Sequence, residues 1–281
     1  MLTLSGRDVE LTLLPETGGS IASFRWQGID IFRKGAGDQD PLSLASFPLV
    51  PFCNRIDQGR FLAGSQRVTL APVKPEAEPV HALHGLGWMD AWEIAEDDRN
   101  AAIIRHQHDG SQWPWAYEAQ QHFVLTSDGF LQRLSLINQG NLPMPAGLGF
   151  HPYFPREGAV LDAPVRAIWH NGEDRLPSEI KALDRQPDWF AGWSFDNCFV
   201  SDDPEIAVTW PTHRLTMRPD PALRFTHVYV PAEEPFFCVE PVSHMPDAVN
   251  RKEPPAETGL RWLKPGKCWS VECRFAVEVP G

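Results

Sequence analysis

The feature that most narrows the possible folds is an apolar/polar alternation of period two that recurs from one end of the chain to the other. Val9, Leu11 and Leu13 alternate with Asp8, Glu10 and Thr12, and Ile206, Val208 and Trp210 with Glu205, Ala207 and Thr209. Near the C-terminus Val271, Cys273, Phe275, Val277 and Val279 alternate with Ser270, Glu272, Arg274, Ala276 and Glu278. Successive side chains of a strand point to opposite faces, so each run reads as a strand with one face on a core and one in water. Residues 66–70, 101–108, 119–126, 130–138, 165–170 and 223–230 are further candidates. Turn formers separate them, among them Gly18-Gly19, Pro72 to Pro79, Gly140 to Pro145 and Pro219 to Pro221. Asp128-Gly129, between two candidate strands, is the strongest hairpin signal. No window of about fifteen residues carries the helical period; only short helical turns near 43–47 and 246–252 are predicted. Strands punctuated by turns throughout predict an all-β protein, a large antiparallel β-sandwich or barrel, and no βαβ units. No low-complexity linker or internal repeat divides the chain, so a single domain over 1–281 is expected.

With 281 residues, such a domain buries a full core without metal or disulfide staples. A formal net charge of -12 repels phosphate backbones and argues against a nucleic-acid partner. Met1 to Glu10 lack the cationic and apolar stretches of a signal peptide. Nowhere do about eighteen apolar residues run together, so no membrane span is predicted. The five cysteines (Cys53, Cys198, Cys238, Cys268, Cys273) are odd in number and show no C-x-x-C spacing. Reduced thiols in the cytoplasm are the expectation.

Several polar residues sit among apolar, Gly and Pro residues, where a solvated loop would not put them. Asn54-Arg55-Ile56 follows Pro48 to Cys53 and precedes Gly59-Arg60-Phe61. An arginine so flanked needs carboxylate or ligand oxygens, and a structural Arg–carboxylate pair is the plainer of the two readings. His81-Ala82-Leu83-His84-Gly85-Leu86-Gly87-Trp88 is too rich in glycine for a helix that would aim both histidines at one metal ion. Gly147 to Phe154 places His151 between aromatics and before Pro152; an inert core histidine is the default reading. Phe195 to Phe199 carries Asp196 and Asn197. Phe236 to Pro241 places Glu240 at the end of an apolar run, followed by His244 and by Pro246-Asp247-Ala248 and Asn250. Burial there would raise the glutamate's pKa toward working pH, and a buried glutamate without a role is costly. There is no G-x-S-x-G elbow, H-E-x-x-H, Walker loop or G-x-G-x-x-G. The residues themselves suggest a metal-free acid–base site in a β-sandwich, with arginine and aspartate for polar ligand groups, and leave the reaction type open.

Taken in order, Asn54-Arg55-Ile56, Gly59-Arg60-Phe61, Leu83-His84-Gly85, Gly149 to Phe154, Phe195 to Phe199, Val239-Glu240-Pro241, Pro246-Asp247-Ala248 and Leu263 to Gly266 resemble the aldose 1-epimerase (galactose mutarotase) family. The resemblance implies a galactose mutarotase-like β-supersandwich, without cofactor, that opens with an N-terminal antiparallel sheet. It implies that Glu240 is the general base on the C1 hydroxyl of an aldose and His151 the general acid on the ring oxygen. It also implies that Arg55, His84 and Asp196 orient the sugar, and Asn54 and Trp88 are placed with that binding set. A base and an acid acting as a pair imply a bell-shaped pH profile. The sequence departs from better-known galactose mutarotases at Pro241-Val242-Ser243-His244, where a glutamine is more usual, and at Pro79-Val80-His81-Ala82. Galactose therefore does not follow as the sugar, and His81 and His244 become possible pocket residues.

Two other enzymatic or binding roles stay open at this point. Epimerisation of a hexose 6-phosphate would need a basic cluster beside the motifs, and none is visible. A carbohydrate-binding module without turnover could stack sugars on Trp88, Trp113, Trp115 or Trp193, yet would leave Glu240 and His151 unexplained. Monomer and homodimer are equally compatible with the sequence.

Overall fold

The computed structural model describes residues 1–35, 40–192, 194–201, 203 and 205–280. Trp193 lies outside them. Two large antiparallel sheets dominate. The first has eleven strands among the described residues, ordered from Leu2–Ser5 through Val9–Leu14, Ser20–Trp26, Ser46–Leu49, Gly149–Pro155, Phe236–Val242, Phe225–Val230, Phe195–Ser201 and Val165–Asn171 to Pro177–Ala182. Ile29–Asp30 pairs off this path with Ser20–Trp26. The second has eight strands, centred on Ala116–Leu125, Gly129–Asn138 and Cys268–Glu278. The expected sandwich is thus present, with the N-terminal antiparallel strands at one edge of the first sheet.

Alternation sorts the first sheet's side chains. Phe150, Phe154, Phe199, Val228, Val230, Phe237 and Val239 join the core shared with Phe130, Leu134 and Phe275 of the second sheet. Their neighbours Tyr153, Cys198, Phe225, Cys238 and Val242 form a separate apolar cluster on the other face with Cys53, Trp88, Met245 and Ala248. That outer face is roofed by the ribbon Arg55–Ile56 with Ala82–Leu83 and by the segment after Val242, whereas the ribbon Arg60–Ala63 with Gln66–Thr69 packs Phe61 and Val68 into the main core beside Trp113 and Trp115. The middle strands are therefore buried on both faces, as the patterns of Gly149–Pro155 and Phe236–Val242 show.

The hairpin forms where expected, with Leu125 opposite Phe130. Its glycine serves a different purpose: Gly129 is already in the strand, and a Cβ there would run into the Phe275 carbonyl. The helical turn expected at 43–47 is displaced. A 3-10 turn occupies Pro41–Ser43, and Ser46–Leu49 is a fully buried strand paired with Gly149–Pro155, because sheet pairing outweighs local preference there. The second turn is found at Ala248–Asn250, and a short helix at Pro255–Thr258 was not foreseen.

Phe130 packs edge-on to Phe24 at 4.8 Å and stacks on Phe275 at 4.6 Å, all three without solvent exposure. Truncation there removes contacts from both sheets at once. We expect Phe130→Ala to cost about 3–5 kcal/mol in denaturant unfolding, and a loss below about 1 kcal/mol would show that the two sheets do not share this core.

Candidate active site

The register on either side, Gly149 opposite Val242 and Tyr153 opposite Cys238, sets His151 across from Glu240. His151 is also opposite Phe47, and Glu240 is opposite His227, itself opposite Cys198. One row across the outer face thus reads Phe47, His151, Glu240, His227, Cys198. Side chains opposite each other in neighbouring strands come within contact, and His151 Nε2 lies 3.3 Å from Glu240 Oε1. The next row holds Tyr153, Cys238, Tyr229 and Asp196.

The imidazole of His151 stacks on Phe47 at 4.3 Å and on Tyr153 at 4.8 Å. Burial between these rings pushes its pKa down to about 3, helped by the charge of His227. Burial, reinforced by the charge of Asp196 and eased by that of Arg55, pushes the Glu240 carboxyl well above the usual carboxylate range. Burial thus disfavours the charged form of each partner. Glu240 Oε2 meets no protein donor among the described residues, which leaves it free to accept a ligand hydroxyl.

The roof brings down the remaining candidates. Asn54 and His84 both adopt left-handed backbone, φ 56° and 59°, a region uncommon for residues other than glycine, though Asn and His enter it more readily than most. The two are bonded to each other: the His84 N–H donates to Asn54 O at 2.9 Å, and the Asn54 N–H donates to His84 Nδ1 at 3.2 Å. Burial, with the neighbouring charges of His151 and Arg55, lowers the His84 pKa well below its ordinary value. A neutral ring that accepts at Nδ1 carries its proton on Nε2, so His84 is a fixed donor. The Arg55 guanidinium reaches Asp196 Oδ2 at 3.2 Å, Glu78 Oε2 at 2.9 Å and Asn54 Oδ1 at 3.4 Å. Burial alone would raise the Asp196 carboxyl, but the His227 hydrogen bond and the charges of His227 and Arg55 hold it well below its usual range. Asp196 is the open part of the set, its side chain 31% exposed.

His84, Arg55, Asn54, Asp196, His151 and Glu240 therefore converge on one outer-face site. Trp88 does not present a ring to it. The indole is fully buried, stacks on Phe47 at 5.2 Å and donates its Nε1–H to the Leu83 and Gly85 carbonyls. It buttresses Phe47 and His84 from behind. Trp113 and Trp115 are likewise core residues, packed with Phe52 and Phe61. His81 accepts from Gln58 N at Nδ1 and donates from Nε2 to Asp174 O, and His244 accepts from Cys53 N and donates to Met245 O. With both nitrogens of each ring engaged by backbone, neither is a pocket residue.

Two members of the cluster are absent from the sequence reading. His227 donates to Asp196 Oδ1 at 2.9 Å and faces Glu240, yet lies in a stretch read only as strand 223–230. Glu78, 1% exposed, lies in the proline-rich stretch read only as a breaker. That stretch holds two carboxylates, Glu76 and Glu78, and only the fold shows which of them answers Arg55. Among the described residues no cluster of three or more His, Cys, Asp or Glu is arranged to hold a metal ion. The larger clefts, of about 630 Å³ behind the His84–Trp88 turn and about 1120 Å³ beside the Pro177–Ala182 strand, are lined by none of the converging residues. Chemistry, not volume, marks this site.

The fold is a large antiparallel sandwich whose outer face carries a buried histidine–glutamate contact beside an arginine–aspartate pair. The family model described as aldose 1-epimerase matches residues 2–276, and the chain belongs to that family. The Escherichia coli K12 protein YphB is 30% identical over an alignment of 298 positions that covers 98% of each chain. A crystal structure of a candidate aldose 1-epimerase from Escherichia coli K12 superposes with a TM-score of 0.89 at 28% identity, over 99% of this chain and 98% of that one. A galactose mutarotase-like protein of Clostridium acetobutylicum, at 18% identity, shares the fold with a TM-score of 0.89 over 99% and 95% of the two chains.

The tautomer assigned to His84 has a direct readout. In ¹⁵N spectra at pH 6 we expect a neutral ring protonated on Nε2; an imidazolium or an Nδ1–H form would show that the Asn54 N–H does not bond to this ring.

Proposed function

We propose that the protein is an aldose 1-epimerase that interconverts the α and β anomers of a free aldose through the open-chain aldehyde, with Glu240 as base and His151 as acid. The observation that carries this reading is their 3.3 Å contact across neighbouring strands, beneath the donors and acceptors of Asn54, Arg55, His84 and Asp196. Glu240 takes the proton of the C1 hydroxyl while His151 protonates the ring oxygen. The C1–O5 bond breaks to give the aldehyde, rotation about C1–C2 presents its other face, and closure returns both protons. Nothing is oxidised and no group leaves, so the turnover needs only the one proton that the pair shares. Ring opening needs that proton on His151 and the charge on Glu240, and the contact between the two lets it move from one to the other. A glycosidase would instead set two carboxylates across the bond; Glu240 faces two histidines, His151 and His227. Five free thiols suit a reducing compartment, and we place the protein in the cytoplasm. No helix among the described residues is long and apolar enough to cross a membrane.

Polarimetry on freshly dissolved α-glucose, α-galactose, arabinose, xylose and fucose tests the reading. We expect acceleration over buffer for at least one of them, and a fall in kcat of about 10²–10⁴-fold in both His151→Ala and Glu240→Gln. Acceleration of none of these sugars would overturn it.

The shared proton also sets the pH dependence. A second proton reaches the pair only near the depressed His151 pKa, about 3, and removes the base. The single proton is lost only above the raised Glu240 pKa, which removes the acid. The bell expected of an independent acid and base is thereby widened to a plateau. We expect the acid limb of kcat/KM of the wild type to lie below about pH 5, with a further fall on the alkaline side. An acid limb centred between about pH 5 and 7 would show that the two groups titrate separately.

A further inference from the structure

Glu78 has no place in the chemistry above, yet it is a buried carboxylate with four donors. Oε2 accepts from Arg55 Nε at 2.9 Å and faces Arg175 Nη2 at 3.2 Å. Oε1 accepts from the backbone N–H groups of Val80 at 3.3 Å and His81 at 3.4 Å. Burial works against its ionisation, but the Arg55 hydrogen bond, the Val80 N–H and the Arg55 charge outweigh it and keep the carboxyl below its ordinary range. Arg55 has a partner on each nitrogen, Nε to Glu78, Nη1 to Asn54 and Nη2 to Asp196, which leaves one N–H on each Nη for a ligand. A guanidinium is planar, so a partner on Nε fixes the direction in which both Nη groups point. Glu78 belongs to the roof and Asp196 to the sheet beneath, and Arg55 spans the two.

The outer partner is of a different kind. Arg175 stands at the tip of the turn between Val165–Asn171 and Pro177–Ala182, with φ 64° and a side chain 50% exposed. That tip is tied to the roof a second time, by His81 Nε2 donating to Asp174 O at 3.1 Å. Arg175 keeps half of its side chain in water, so its charge is screened more than that of Arg55, and the geometry of Arg55 does not pass through it.

We propose that Glu78 is a positioning residue of the site, acting on the sugar through Arg55, which it holds by Nε so that Nη2 faces Asp196. The proposal rests on the reading of Arg55 as a sugar-binding group. Glu78→Gln keeps the shape of the side chain but sets an amide against two guanidinium groups. Because Arg55 binds the sugar alike before and during ring opening, its displacement is felt in binding. We expect KM to rise about tenfold with kcat within about twofold of wild type. In an Arg55→Lys background, which lacks an Nε–H, Glu78→Gln should add less than about twofold to KM. Arg175→Ala, which removes only the outer pair, should leave KM within about twofold. An unchanged KM in Glu78→Gln, a full additive effect in the Arg55→Lys background, or an equal rise in Arg175→Ala would each overturn the proposal.

A readout independent of turnover separates this proposal from the assigned reaction. In ¹H–¹⁵N spectra the Arg55 Nε–H should be protected from exchange in the wild type and in Arg175→Ala, and exposed in Glu78→Gln. A wild type inactive on every aldose would remove the proposed reaction, while this signal still decides whether Glu78 holds Arg55; a protected signal in Glu78→Gln would show that it does not.

Discussion

The register between the Gly149–Pro155 and Phe236–Val242 strands is the constraint on which the site depends. Side chains alternate from face to face, so a slip of one residue would turn Glu240 into the sandwich core and bring Val239 to the outer face. The core prevents this, because Phe150, Phe154, Phe237 and Val239 fill the space between the sheets. Packing on one face thereby holds the chemistry on the other. The same logic extends sideways through Phe225–Val230 and Phe195–Ser201, which deliver His227 and Asp196 to adjacent rows.

Electrostatics then sets the character of each group. His151 lies between aromatic rings and is deprived of the water that would stabilise its cation. Glu240 is equally dry, and the nearest fixed negative charge, Asp196, opposes its ionisation. Asp196, by contrast, has both oxygens engaged, by His227 and by Arg55, and stays a carboxylate. Two carboxyl groups on one sheet face are thus driven in opposite directions by what surrounds them, as happens where acid–base work is divided between similar groups.

Strands with one wet face were legible in the sequence, because Val9–Leu14 keeps its alternation in full and Cys268–Glu278 keeps it as far as the buried Ala276. The strands that build the site were not. Gly149–Pro155 and Phe236–Val242 are covered on both sides, so polar and apolar positions no longer alternate and only the unusual His151 and Glu240 stand out. The motif residues could be named individually, but their partners could not. Glu78 meets Arg55 and Arg175 only because the fold brings a proline-rich connection against a distant hairpin tip. His227 looks like any strand residue until the register sets it beside Glu240. Histidines next to a motif also mislead, since His81 and His244 serve the backbone with both ring nitrogens. Trp88 shows the same effect for aromatics, its ring serving as a wall rather than a platform.

The ribbon Arg55–Ile56 with Ala82–Leu83 shares no strand with either large sheet. Asn54, Arg55, Glu78 and His84 therefore lie outside the ladders that set the register of the rows beneath. On the reading proposed, a descendant of this chain could acquire a new sugar by rewriting the stretch between Val50 and Trp88 alone, inheriting its reaction unaltered from the floor.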